Sequence, residues 1–320
     1  MIYSKIAGTG GYTPNNVVTN YDLAKKVETD HDWIVQRTGI HSRCLATAGE
    51  TTSSMSFEAA SKAINAAGIQ ATDLDLIILA TTTPDKILPT ASCMLQEKLG
   101  VPNIPAFDLG AACAGFIYAI SVADQFIRAG NAKNILVVGA EHMSSIVDWS
   151  DRTTCVLFGD GAGAVVLQAS DSPGILSTHL HADGRHGDKL FVPTGLPNLA
   201  IADEPAYVNM RGQEVFKFAV KALGDIVDET LDANNMDKSD IDWLIPHQAN
   251  LRIITATAKK LDMSMEKVIL TVDKHANTSA ASIPLALDEG VRDGRIKRGD
   301  KLLMEGIGGG FAWGSALVIF

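Results

Sequence analysis

Basic residues are scarce relative to acidic ones: 27 Lys and Arg stand against 37 Asp and Glu, a net charge of −10. That sign disfavours a nucleic-acid backbone as partner. Cysteines are few and scattered. Cys44, Cys93, Cys113 and Cys155 include no C-x-x-C pair, so neither a disulfide framework nor a zinc site is expected, and a reducing cytoplasm suits them. Long apolar runs are missing too. The longest uncharged stretches, Leu109–Ala123 and Gly306–Phe320, contain glycine and are too short to span a bilayer. Residues Met1–Gly8 lack the basic and apolar regions of a signal peptide. With no low-complexity tract either, disorder is not expected.

What is present is apolar bulk. The chain has 320 residues and is 46% hydrophobic, enough for a large core. It also repeats. Asp73–Ala80 matches Asp240–His247, and Ile135–Gly139 matches Leu302–Gly306 at the same offset. Phe107–Gly130 resembles Val272–Gly294 in length and pattern, and Gly161–Leu167 resembles Gly314–Ile319. Each half reads strand, helix, strand, helix, strand, strand, which predicts an α/β fold of buried sheets and helical layers. The join falls near Ser170–Gly174, giving halves of 1–172 and 173–320.

Cys113 sits where an apolar strand, Ile104–Leu109, meets an apolar helix starting near Phe116. Its neighbours Gly110, Ala111, Ala112, Ala114 and Gly115 are small and leave the sulfur approachable. A helix N-terminus would stabilise a thiolate there; the alternative is a small buried hydrophobe. In a duplicated fold, Asn277 occupies the corresponding turn of the second half. His247 ends a strand behind Pro246, which cannot continue a ladder. Three loops then meet at one crevice at the strand ends.

Other features divide between structure and chemistry. Trp33 and Arg37 share a helix face and are either a surface pair or a clamp for an adenine and a phosphate. Arg252, Lys259 and Lys260 make a basic helix face, either solvated or a dock for an acidic partner. Val208–Leu231 is expected to be a long helix presenting Lys217 and Lys221 together. His179, His181, Asp183 and His186 could in principle hold a divalent ion, but Gly184 and Gly187 mark a hairpin or loop, so solvated histidines are expected. The glycines of Phe158–Ala164 precede a strand rather than a helix, which indicates close packing and not a dinucleotide fingerprint. Phe191–Pro205, with Pro193, Pro197 and Pro205, reads as a long irregular connection. Gly308–Gly310 lets backbone N–H groups crowd a ligand or simply makes a turn.

Taken together, Asp108–Phe116, Asp151-Arg152, Phe158–Ala164, Pro246–Asn250, His275–Ser279 and Gly308–Phe311 resemble the β-ketoacyl-acyl carrier protein synthase III family of thiolase-like condensing enzymes. The likeness runs over essentially the whole chain. It implies a homodimer of five-layered αβαβα subunits that initiates fatty acid synthesis in the cytoplasm. Cys113 would accept an acyl group from acyl-CoA, with acetyl-CoA the expected primer. His247 and Asn277 would support decarboxylation of malonyl-acyl carrier protein. The N–H groups of Cys113 and Gly309 would form the oxyanion hole. Trp33, Arg37 and Arg152 would bind CoA. Lys217, Gln248, Ala249, Asn250, Leu251, Arg252, Lys259 and Lys260 would meet the carrier protein, and Leu88 would shape the acyl pocket. Neither a cofactor nor a metal is implied. No second cysteine lies near the C-terminus, unlike a thiolase, and Asn277 stands where elongating synthases carry a second histidine. Chalcone-synthase-like relatives, another acyltransferase and a non-catalytic acyl-binding protein are the alternatives. Glu305, in Met304–Ile307, occupies a strand end where an apolar residue is usual.

Overall fold

Leu76–Ala80 is apolar at every position and buried at every position, as a strand covered on both faces requires. It is β2 of the first sheet in a computed structural model that describes residues 2–193 and 207–320. The sheet also contains β1 (Tyr3–Tyr12), β3 (Ala106–Leu109), β4 (Asn134–Glu141) and β5 (Gly161–Ser170). Its order is β1-β5-β4-β2-β3. The second sheet contains β6 (Ile175–Ala182), β7 (Trp243–Pro246), β8 (Lys301–Gly308) and β9 (Ala312–Ile319), in the order β6-β9-β8-β7.

The first four places of the two sheets correspond, sense by sense. Two antiparallel pairings, β1–β5 and β5–β4, are followed by the parallel pair β4–β2. In the second sheet β6–β9 and β9–β8 are antiparallel and β8–β7 is parallel. Where β3 would have a counterpart, a single parallel bridge joins Leu244 to Val268.

Alternating side chains assign the layers. Ile78, Ile135 and Val137 face inward with Ile245, Leu302 and Met304 of the other sheet. Between the sheets lie α4 (Gly115–Arg128) and α7 (Ser282–Arg292), whose Phe116, Ile120, Ile283 and Leu287 are fully buried or nearly so. The opposite face of the first sheet, with Ile77, Leu79 and Leu136, packs on α2 (Thr52–Ala67) and α3 (Ala91–Leu99). That of the second, with Leu244, Leu303 and Leu317, packs on α5 (Gly212–Asn234) and α6 (Leu251–Lys260). The result is the five-layered αβαβα architecture. Each fully buried Leu or Ile contributes roughly 1.5–3 kcal/mol, and the central layer holds the largest single apolar cluster among the described residues.

One boundary differs from expectation. The helix expected over Val208–Leu231 starts at Gly212, because Asn209 and Met210 instead pair with Phe191 and Leu190. It runs on to Asn234 and stops at Asn235, whose φ of 49° ends it in the left-handed region. The irregular connection expected up to Pro205 lies, from residue 194, outside the described residues.

Candidate active site

The chain between β3 and α4 turns sharply. Ala112 adopts φ 46°, and a single 3-10 turn, Ala112–Ala114, precedes α4. Cys113 sits in that turn and is 8% exposed. The end of β8 presses on it from the second half. A Cβ at Gly308 would lie 2.4 Å from the Cys113 nitrogen and 2.8 Å from the Ala112 Cβ, so only glycine fits there.

Asn277 arrives on the loop before α7. That loop hangs on the segment before β5: the Asn277 N–H donates to the Leu157 carbonyl at 2.9 Å, and its carbonyl accepts the Gly159 N–H at 3.1 Å. A Cβ at Gly159 would be 2.4 Å from the His275 carbonyl. The glycines of Phe158–Ala164 are thus used for close approach. Asn277 Oδ1 accepts the Ser279 N–H at 2.8 Å. This fixes the amide, with Nδ2 left as the donor.

His247 follows β7, anchored by its N–H to the Glu305 carbonyl at 2.8 Å. Its ring is buried, Nδ1 has no partner, and burial pushes its pKa down to about 3. The imidazole is therefore neutral across ordinary pH.

One cavity of about 1120 Å³ is lined by Cys113, His247 and Asn277 together, with Ser279, Gly309 and Phe158 beside them. Trp33, Arg37, Lys217, Ala249, Asn250 and Arg252 line it too. A second cavity, of about 760 Å³ and lined by Asp237, Lys238 and Leu261, contains none of the expected site residues.

At the cavity rim, α1 (His31–Thr38) is capped by Asp30, which accepts the Trp33 N–H at 2.7 Å. Arg37 and Arg152 lie 4.8 and 5.4 Å from the Trp33 ring centre, one aromatic face between two exposed cations. Arg152 does not itself line the cavity. Asn250 Nδ2 donates to the Arg37 carbonyl at 3.0 Å and ties this rim to α6. Arg252 lies 4.9 Å from the Phe216 ring centre.

Several expectations need correction. Burial pushes the Cys113 thiol up to about 12, and the Glu141 charge adds to the rise. The thiolate favoured by a helix start is not the resting form, because desolvation raises the thiol more than its hydrogen bonds lower it. Gln248 is fully buried, and its amide makes four main-chain bonds, to Pro246, Ile269, Thr271 and Val272. It braces the His247 loop and is not on a docking surface. Leu251 packs where a Gly39 Cβ would come within 2.6 Å of its own Cβ. Lys260 is tied to Asp228 at 2.5 Å, whereas Lys217 and Lys259 are exposed. Leu88 is 80% exposed and does not line this chain's cavity. His179 and His181 are not simply solvated: both bond Glu229, at 3.2 and 2.7 Å. His186 lies 3.6 Å from Asp183 and stacks near Phe311.

Sequence reading missed Ser279 and Glu141. The Cys113 thiol donates to Ser279 Oγ at 3.5 Å, and Ser279 Oγ donates to Glu141 Oε1 at 3.0 Å. Ser279 resembled a helix cap and Glu141 the end of a strand, so neither residue type advertised this role.

Comparison with known proteins agrees with the geometry. Residues 107–184 match the family model described as 3-oxoacyl-[acyl-carrier-protein (ACP)] synthase III, and residues 231–320 match its C-terminal counterpart. The chain is 61% identical to the β-ketoacyl-[acyl-carrier-protein] synthase III of Methylococcus capsulatus, over 99% of this chain and 98% of the relative. It is 59% identical to that of Thioalkalivibrio sulfidiphilus over the full length of both. The crystal structure of 3-oxoacyl-[acyl-carrier-protein] synthase III from Aquifex aeolicus superposes with a TM-score of 0.94 at 46% identity, covering 99% of this chain and all of the other. Cavity, thiol and fold therefore converge on one assignment: the chain belongs to the β-ketoacyl-[acyl-carrier-protein] synthase III family of thiolase-like condensing enzymes.

Proposed function

We propose that the family's reaction runs in this chain through Cys113, His247 and Asn277. The enzyme is an acyltransferase that initiates fatty acid synthesis, joining an acyl-CoA primer to malonyl-acyl carrier protein with loss of CO2. In the first half-reaction the Cys113 sulfur attacks the acyl-CoA thioester and CoA leaves. The tetrahedral oxyanion is held by the N–H groups of Cys113 and Gly309. In the second, the malonyl thioester oxygen accepts hydrogen bonds from the His247 imidazole and Asn277 Nδ2. Loss of CO2 then leaves a carbanion whose charge is shared by that oxygen. The carbon attacks acyl-Cys113 and gives 3-ketoacyl-acyl carrier protein.

The neutral state of His247 supports its role as a donor. A neutral imidazole stabilises an enolate oxygen without protonating the carbon that must attack. Each donor in a dry site contributes roughly 10²–10³ in rate. No cofactor is needed in this scheme, because decarboxylation supplies the carbanion.

At the rim, Trp33, Arg37 and Arg152 take the CoA adenine and phosphate. Lys217, Arg252 and Lys259, with Ala249 and Asn250, receive the acidic carrier protein despite the chain's net charge of −10. The exposed apolar residues Ile87 and Leu88 support burial against a second copy in a homodimer. The halves 1–172 and 173–320 act as one unit, since Cys113 comes from the first and His247 and Asn277 from the second. No described helix is long and apolar enough to cross a membrane, and a cytoplasmic location is part of the proposal.

The observation that carries this reading is the shared cavity of Cys113, His247 and Asn277. Its test separates the half-reactions. His247→Ala should keep acylation of Cys113 by acyl-CoA and lose about 10²–10³ in CO2 release from malonyl-acyl carrier protein. Loss of acylation with retained decarboxylation would reverse the assignment.

A further inference from the structure

The thiol of Cys113 does not hydrogen-bond to the histidine of its own cavity. Its partner is Ser279 Oγ at 3.5 Å, which donates onward to Glu141 Oε1 at 3.0 Å. Both links are buried, and the residues come from three separate segments. The backbone is committed to this arrangement: Ser279 adopts φ 49° and Ala112, beside Cys113, adopts φ 46°, a region non-glycine residues seldom occupy.

Glu141 is fully buried and forms no ion pair among the described residues. Its carboxyl accepts the Thr81 hydroxyl at 3.2 Å, the Thr82 N–H at 3.1 Å, the Thr82 hydroxyl at 3.1 Å and the Thr83 hydroxyl at 2.5 Å. His142, next in the chain, donates its N–H to Thr83 Oγ1 at 2.8 Å, while its ring acts on Glu50. His247, across the cavity, is neutral. So a buried carboxyl is wired by one hydroxyl to the thiol that the reaction requires as thiolate. The two cannot both be anionic without severe repulsion in a dry site.

We infer that Cys113, Ser279 and Glu141 form a proton relay that generates the nucleophile without changing the net charge of the buried cluster. The Cys113 S–H bond breaks and an O–H bond forms on Ser279. The original Ser279 O–H bond breaks and one forms on Glu141. Ser279 is left donating to the thiolate, and Glu141 is neutral beside it. The thiolate then attacks acyl-CoA, and CoA departs as thiolate to take its proton from water. Condensation later expels Cys113 as thiolate, and the Glu141 proton returns through Ser279. Protons balance over the cycle. Ser279 touches the reacting sulfur and is a catalytic residue in this scheme. Glu141 acts through it and is a positioning and proton-holding residue.

The inference rests on Cys113 being the nucleophile, but its test needs no acyl transfer. The rate of Cys113 alkylation by iodoacetamide is measured against pH on the full chain, with the modified residue located by peptide mass spectrometry. Internal transfer makes the thiolate fraction independent of pH once Glu141 has released its solution proton and before both groups are anionic. The wild-type profile should show a flat segment about two pH units wide between two rising limbs, the width set by repulsion across the two hydrogen bonds. Glu141→Gln should give one limb rising about tenfold per pH unit with no flat segment. Ser279→Ala leaves both charges in place, so the flat segment stays, but its height should fall about tenfold, because the thiolate loses its side-chain donor while Glu141 keeps the Thr81, Thr82 and Thr83 bonds. It carries the comparison if Glu141→Gln does not fold, and an unchanged height would overturn the relay. A wild-type profile without a flat segment, or one that survives in Glu141→Gln, would overturn the relay. Failure of acyl-CoA to label Cys113 would instead sink the underlying functional reading.

Discussion

Gly308→Ala is the substitution that most directly probes how the two halves share the site. The added Cβ would stand 2.4 Å from the Cys113 nitrogen and 2.8 Å from the Ala112 Cβ. Ordinary contact needs roughly 1 Å more than the shorter distance allows. Both opposing groups belong to the tight turn before α4, so neither is a flexible side-chain end that could swing away. Relief must come from moving the turn or the end of β8. Overpacking of this kind costs roughly 1–3 kcal/mol of stability. A shift of about 1 Å at the nucleophile costs on the order of 10² in rate. The assay is the rate of acyl transfer from acyl-CoA to Cys113, followed by mass spectrometry, with thermal unfolding in parallel. The expected result is a loss of about 10² in acylation with a Tm lowered by several degrees. Gly184→Ala is the control, since nothing lies within 4 Å of a Cβ there. Near-wild-type acylation by Gly308→Ala would refute the close apposition of β8 and the cysteine turn.

Three more outcomes follow from the charges. Glu305 is fully buried on the face of β8 beneath α5 and α6, neither carboxyl oxygen has a hydrogen-bond partner, and burial raises its pKa to about 8. A raised folded-state value makes the native state bind the extra proton, so this contribution is present below about 4.5 and is lost as pH rises toward 8. Glu305→Gln should match wild type in Tm near pH 5 and exceed it near pH 9; equal Tm values at both would show that the carboxyl is not held neutral. His247 works in the opposite sense: its value is depressed to about 3, so its contribution is complete above about 6.5 and fades as pH falls toward 3. Arg252→Glu should raise KM for malonyl-acyl carrier protein at least tenfold while leaving acyl-CoA use within about twofold, since each close charge pair contributes on the order of 1.5 kcal/mol or more. Equal loss of both activities would remove Arg252 from the dock.

Much of this fold is written in short-range pattern. Strands such as Leu76–Ala80 and Leu302–Met304 are apolar without interruption because both their faces are covered. Three of the matched runs correspond to strands in equivalent sheet positions, whereas Val272–His275 is a helix where Ala106–Leu109 is a strand, so the pairing of Cys113 with Asn277 rests on the flanking runs and not on a shared strand. The departures come where tertiary contact decides. Gln248 sits in a polar-looking loop, yet it is wholly internal because its amide satisfies four main-chain groups that the bend leaves free. The protonation of Cys113 is governed first by desolvation, which depends on how deeply the turn is buried. Glu141 and Ser279 are far apart in sequence and individually ordinary. Only the packing of the turn before α7 against β4, where a Cβ at Gly139 would be 2.2 Å from the Ala280 carbonyl, brings them together.

The central claim is that Cys113 carries the acyl group, and single-turnover labelling tests it most directly. Protein incubated with acetyl-CoA and digested should show one acetyl group on the Cys113 peptide and none on those holding Cys44, Cys93 or Cys155. Adding malonyl-acyl carrier protein should discharge it with release of CO2. A Cys113 peptide that stays unlabelled across a chain-length series of acyl-CoAs, or condensation that persists in Cys113→Ala, would contradict the account.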